Sequence, residues 1–124
     1  IKNSFIIFLT DQELALLVGQ DYRQGCQKLL GYGPSIVVCK RGEKGSYVLT
    51  AEEEVGIRAQ KVRVVDTTGA GDVYAAGFLA GLLLERPLTE CVLLATEAAA
   101  LSVTGYGREK YPDKKFLADH LASF

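Results

Sequence analysis

Between Val64 and Asp72 the chain reads Val-Val-Asp-Thr-Thr-Gly-Ala-Gly-Asp, an apolar run that passes through a turn of small residues into a helical pattern. Gly69, Ala70 and Gly71 carry too little side chain to keep a ligand from the backbone. Three consecutive N–H groups at a helix start can converge on one anion, and the helix dipole adds partial positive charge at that point. Phosphate suits such a place. Asp72 is at odds with a pure anion site, since its charge repels a phosphate beside it. A carboxylate next to an anion hole can, however, take the proton from a hydroxyl nucleophile while the amides stabilise the phosphoryl group under attack. The same residues also have a plainer explanation, in which Asp72 offsets the helix dipole and the glycines turn the chain. The residues alone leave both open.

Other chemistries fit less well. No G-x-x-x-x-G-K-S/T occurs, so the turn is not a Walker A loop. Gly69-Ala70-Gly71 followed by Ala75 loosely mimics a dinucleotide fingerprint, but the acidic residues about 20 positions on fall in a helical region rather than at a strand end. Cys26, Cys39 and Cys91 are odd in number, far apart and set in apolar stretches, which fits reduced thiols of a cytoplasmic protein better than a disulfide framework or a C-x-x-C metal site. His120 is the sole histidine and reads as surface on a terminal helix, which disfavours a polyhistidine metal centre.

The elements that must position the turn follow from hydrophobic pattern. Phe5 to Leu9 reads as a buried parallel strand, and Thr10-Asp11-Gln12-Glu13 has the form of a capping box opening a helix that Gly19 stops. Asp21 opens a second helix running to Gly31. Ser35 to Cys39 and Ser46 to Leu49 form a hairpin across the Arg41–Gly45 turn, Glu52, Glu53 and Glu54 make an exposed loop, and Val55 to Ala59 and Lys61 to Val65 alternate as half-exposed strands. Helices are expected at Gly71 to Leu84, Thr89 to Val103 and Asp113 to Ser123. Strands alternating with helices make an α/β layer structure, with no repeat or linker.

The 124 residues, 48% hydrophobic and 23% charged, suit one soluble globular domain. A chain of this length can bury roughly two-thirds of its unfolded surface, enough for a core without disulfides or metal. Fourteen Lys and Arg against 15 Asp and Glu leave a net charge of −1, so neither nucleic acid nor anionic lipid is an expected partner. The longest apolar stretch, Val73 to Leu84, is shorter than the ~20 residues of a membrane span and reads as a buried helix. The chain opens on Ile1, lacks methionine and soon enters an apolar run, which raises the expectation of a piece of a longer protein.

Asp66 to Asp72, D-T-T-G-A-G-D ahead of an Ala/Gly-rich helix, closely resembles the carboxyl-terminal signature of the PfkB or ribokinase family of carbohydrate kinases. The Val37–Gly45 hairpin before it and the Glu97–Gly107 helix and loop after it extend the resemblance over nearly the whole chain. It implies a ribokinase-like, Rossmann-like layered fold with a mostly parallel sheet, of which residues 1–124 form the carboxyl-terminal nucleotide-binding and catalytic part. By position, Asp72 corresponds to the catalytic base, and Gly69, Ala70 and Gly71 to the anion hole. Asp66 and Thr68 match positions that help hold a monovalent cation, K+ in the simplest case. Glu13 matches the acidic residue of an N-x-x-E motif linked to Mg2+ and phosphate, although Thr10 stands where the motif has Asn; the capping box accounts for both residues as well. Lys40, Gly42 and Gly45 match a loop that contacts ATP phosphates and ribose, where many members have Thr in place of Lys40; a plain hairpin turn is the alternative. Thr96 and Ala99 lie on the helix that the resemblance puts beside the adenine, though some relatives have Asn at the position of Thr96 and small residues such as Ala98-Ala99-Ala100 also serve close helix packing.

The implied activity is transfer of the γ-phosphoryl of ATP to a hydroxyl of a sugar, sugar-like compound or nucleoside. The alternative is an inactive nucleotide-binding or structural fragment that needs a missing amino-terminal portion. An incomplete sheet exposes an apolar edge and face, so self-association or pairing with that portion is expected.

Overall fold

The computed structural model describes residues 5–19, 21–59 and 69–102. The chain divides into two compact units, Ile1–Ala59 and Gln60–Phe124. The first holds β1 (Ile6–Thr10), α1 (Asp11–Val18), α2 (Tyr22–Leu30), β2 (Ile36–Lys40), a single 3₁₀ turn (Gly42–Lys44), β3 (Ser46–Leu49) and β4 (Glu54–Ile57). The second holds α3 (Ala70–Leu83) and α4 (Leu88–Ser102).

The four strands form one sheet in the order β1-β2-β3-β4. β1 and β2 run parallel, with Ile6 opposite Ile36 and Thr10 opposite Lys40, because the two helices between them carry the chain back to the starting edge. The other two pairings are antiparallel. The expectation of a mostly parallel sheet is therefore corrected for the described residues. β2–β3 and β3–β4 are joined by connections too short for a crossover, and a short turn can only join antiparallel neighbours. Thr50 shapes the second of these turns, its hydroxyl accepting from the N–H of Glu52 and of Glu53 at 3.2 and 3.1 Å. Glu52, Glu53 and Glu54 are all exposed as expected, but Glu54 belongs to β4 rather than to the loop and accepts a 2.6 Å hydrogen bond from the Tyr47 hydroxyl.

Strand alternation sorts the first unit's core. Ile7 and Leu9 of β1, Val37 and Cys39 of β2, and Tyr47 and Leu49 of β3 share one sheet face and pack with Leu14 and Val18 of α1 and Tyr22, Cys26 and Leu29 of α2. Complete burial of a side chain such as Leu14 is worth about 1.5–3 kcal/mol relative to exposure. Gly25 lets the helices meet: a Cβ there would lie 2.9 Å from a Val18 methyl and 3.0 Å from Leu14. Central β2 buries Ile36 to Cys39 without interruption, the pattern of a strand covered on both faces.

In the second unit, α3 and α4 pack through small residues. A Cβ on Gly77 would lie 3.0 Å from Ala95 Cα, and one on Gly81 would lie 2.8 Å from Cys91 Sγ, so the two glycines set the approach of the axes. The reading of Val73 to Leu84 as a buried helix holds for one face only. Val73, Tyr74, Gly77, Phe78 and Gly81 are buried, whereas Leu79, Leu83 and Leu84 are exposed, Leu83 to 84%. An all-apolar run carries no periodic signal to say which side faces inward. None of the described helices is long and apolar enough to cross a membrane. The expected strand at Lys61 to Val65, the helix at Asp113 to Ser123 and His120 lie outside the described residues.

Candidate functional site

Gly69 adopts a left-handed conformation (φ 77°, ψ 2°) as the residue ahead of α3, a geometry that costs glycine little and a residue with a Cβ more. The first bond of the helix runs from the Val73 N–H to the Gly69 carbonyl at 3.0 Å. Helical geometry then leaves the N–H groups of Ala70, Gly71 and Asp72 without intrahelical acceptors, and among the described residues no side chain caps this end. Gly71 and Asp72 are exposed, and Gly69 and Ala70 half-buried. The start of α3 thus has amide donors that the helix itself does not satisfy, the positive end of a dipole and a carboxylate in its first turn. Asp66 and Thr68 lie outside the described residues.

A second group of residues gathers where the parallel strands β1 and β2 end. Thr10 and Lys40 are register partners there, so the start of α1 and the Lys40–Gly45 turn share one edge of the sheet. Open α/β sheets bind ligands outside the carboxyl ends of their strands. Thr10 and Glu13 form the capping box: the Glu13 N–H donates to Thr10 Oγ1 at 3.1 Å, and the Thr10 N–H donates to Glu13 Oε1 at 2.9 Å. The Thr10 amide and hydroxyl hold the Glu13 carboxyl below its usual range, with a smaller contribution from the Lys40 charge. Gly45 (φ 103°) is fixed by packing, since a Cβ there would run into the Ile57 carbonyl and lie 2.8 Å from Arg58 Cα. Gly42 also has positive φ, and no heavy atom lies within 4 Å of where its Cβ would stand.

The structure gives Thr96 a local partner, its buried hydroxyl donating to the Val92 carbonyl at 2.7 Å inside α4. Ala99 is half-buried on the same helix. No cluster of three or more His, Cys, Asp or Glu that could hold a metal ion occurs among the described residues. The three thiols are buried and free. Burial pushes Cys91 up to about 11; contact with Cys39 and burial push Cys26 up as well, so neither is poised as a nucleophile.

One part of this edge escaped the sequence reading. Arg41, between Lys40 and Gly42, sets its guanidinium carbon 3.6 Å from the Tyr22 ring centroid, and its Nε is buried with no hydrogen-bond partner. The available signal was parity alone: Arg41 follows Cys39 by two and so turns to the α2 face, away from the face of Lys40.

With this geometry in view, likeness to known proteins becomes specific. Residues 1–114 match the family described as pfkB family carbohydrate kinase. The chain belongs to that family. Among relatives of this pfkB chain, an uncharacterized sugar kinase of Archaeoglobus fulgidus is 37% identical over 113 residues, covering 90% of this chain and 45% of that protein. A cytidine kinase of Thermococcus kodakarensis is 39% identical over 97 residues, 76% of this chain and 35% of that protein. Among solved structures, the ribokinase of Arabidopsis thaliana complexed with ribose and ATP superimposes with a TM-score of 0.83 at 30% identity, over 94% of this chain and 40% of that one. The α/β architecture is therefore ribokinase-like, and the chain spans less than half the length of these pfkB-family relatives.

Proposed function

We propose that the complete protein transfers the γ-phosphoryl group of ATP to a hydroxyl of a sugar, sugar-like compound or nucleoside, and that residues 1–124 are the carboxyl-terminal, nucleotide-binding and catalytic part of it. The observation that carries this reading is the start of α3, uncapped among the described residues, with three amides free of intrahelical acceptors and an exposed Asp72 in the first turn, in a chain of the pfkB family. The two relatives named as sugar and cytidine kinases support the acceptor class, and the relative bound to ribose and ATP supports the donor.

In this mechanism Asp72 accepts the proton of the acceptor hydroxyl as its oxygen forms a bond to the γ-phosphorus and the bond to the ADP oxygen breaks. The amides of Gly69, Ala70 and Gly71 stabilise the charge that develops on the phosphoryl oxygens. Lys40, Gly42 and Gly45 steady the donor's phosphates and ribose, and Thr96 and Ala99 lie on the helix beside its base. Magnesium, when bound with the nucleotide, would supply charge neutralisation at its phosphates. Such an ion is held by one or two carboxylates together with substrate phosphates and water. By family position Glu13 is the carboxylate that would take part in holding it, in addition to its role in the capping box. By family position Asp66 and Thr68 would help hold a monovalent cation, and the chain works in association with the remainder of its own protein in the cytoplasm.

The test is an assay of the full-length protein with ATP and magnesium against a panel of sugars, sugar acids and nucleosides, following ADP release and the phosphorylated product by 31P NMR. Stoichiometric phosphorylation of one panel member is expected. ADP formation that never exceeds the rate without acceptor, over the whole panel, contradicts the reading.

A further inference from the structure

On the α2 side of the sheet, Arg23 of α2, Arg41 and Lys44 of the β2–β3 turn, and Arg58 just beyond β4 line a single cleft of about 290 Å³. Tyr22 and Tyr47 form an aromatic corner within it, their rings edge-to-face with centroids 5.2 Å apart. Arg41 rests on Tyr22 as described above, and the Arg23 guanidinium carbon lies 5.9 and 6.0 Å from the Tyr22 and Tyr47 centroids. The sole carboxylate in the lining, Glu54, already accepts the Tyr47 hydroxyl, which burial and Glu54 itself hold in its protonated form.

Four cations thus face one engaged carboxylate, in a chain whose net charge is −1. None of the four makes an ion pair with a carboxylate among the described residues, where the one such pair joins Arg86 to Glu90. Gathering like charges without counterions is unfavourable, and a buried guanidinium nitrogen without an acceptor adds to the cost. A bound polyanion resolves both. Guanidinium groups match phosphate oxygens in pairs, and the aromatic corner limits their rotamers before the ligand arrives. The volume equals about ten liquid waters, room for a diphosphate or a small phosphate ester.

We propose that this cleft is a binding site for a small polyanion carrying a di- or monophosphate group, bound by Arg23, Arg41, Lys44 and Arg58. Arg41 and Lys44 share a turn with Lys40, Gly42 and Gly45, the residues assigned above to ATP, but none of those three lines the cleft. Lys40 is absent from its lining and turns to the opposite sheet face, so the inference stands whether or not the phosphoryl-transfer reading does.

Calorimetric titration of the full-length protein with sodium pyrophosphate, without divalent ions and at near-physiological salt, tests it. The wild type binds, and the double variant Arg23→Gln/Arg58→Gln binds at least about tenfold more weakly, as loss of charge-assisted hydrogen bonds implies. Both side chains are exposed, so the fold survives their replacement, which an unchanged melting temperature verifies. Arg41→Gln weakens binding as well; should that variant unfold, the double variant still decides. Lys28→Gln, which removes an exposed charge of α2 outside the lining, leaves the affinity unchanged. No binding by the wild type, undiminished binding by the double variant, or an equal loss with Lys28→Gln would each overturn the proposal, the last by showing a response to overall charge alone.

Discussion

Two helices of this chain begin in opposite ways. At α1, Thr10 and Glu13 answer each other's amides, so the donors that the helix start leaves over are met by its own side chains. At α3, a left-handed Gly69 precedes Ala70 and Gly71, no side chain among the described residues caps the end, and Asp72 stands exposed. The backbone dipole is the same in kind at both ends. The contrast teaches that a helix start becomes a place for a phosphate when its sequence withholds the cap as well as when it supplies the turn. α2 sides with α1, its Gln24 N–H donating to Asp21 Oδ1 at 3.0 Å.

Breaking the contrast at α3 should have the largest effect. In the full-length protein, Asp72→Asn should lower turnover by about 10²–10⁴-fold while ATP affinity, measured calorimetrically, changes little, since an amide keeps the shape but cannot take the proton. Retained turnover would return Asp72 to the role of a dipole partner. Next comes Gly45, which fixes the turn at the strand ends: Gly45→Ala should cost about 2 kcal/mol or more in denaturant unfolding, because the methyl group meets the backbone of Ile57 and Arg58 at a positive φ. An unaltered midpoint would mean that the turn relaxes freely.

Breaking the contrast from the other side is milder. Thr10→Ala should cost about 1 kcal/mol of stability, read from the same unfolding curves, and leave turnover near the wild-type value if the α1 start is purely structural. A large fall in turnover would give Thr10 and Glu13 a part in the site. The smallest effect concerns pH. Glu13 is held below its usual carboxyl range in the folded state, so its contribution to stability is complete above the ordinary Glu value and is lost as pH falls through the lowered one. Glu13→Gln, which removes the titrating group, should flatten that acid dependence, which thermal melts between neutral and acidic pH can follow.

Sequence served best where structure is decided locally. The cap at Thr10–Glu13, the opening of α2 at Asp21, the stop at Gly19 and the span of β3 all rest on interactions within a few residues, and all are present. β1 and β2 both start and end one residue later than expected, reaching Thr10 and Lys40, because polar residues at strand ends carry no apolar signal. The features hidden from the sequence depend on pairing. Exposure of Leu79 and Leu83 in an unbroken apolar run depends on what packs against α3, and the convergence of Arg23, Arg41, Lys44 and Arg58 depends on the register of three segments. At the candidate site, the Gly-Ala-Gly turn and its carboxylate were legible as a motif, whereas the local engagement of Thr96 inside α4 required coordinates.

The most direct measurement follows the backbone amides themselves. In isotope-labelled full-length protein titrated with magnesium-ATP, the N–H resonances of Ala70, Gly71 and Asp72 should move substantially and saturably. The capped amide of Gln24 should stay in place. Amides of Ala70 to Asp72 that remain unmoved at full nucleotide saturation would contradict the account.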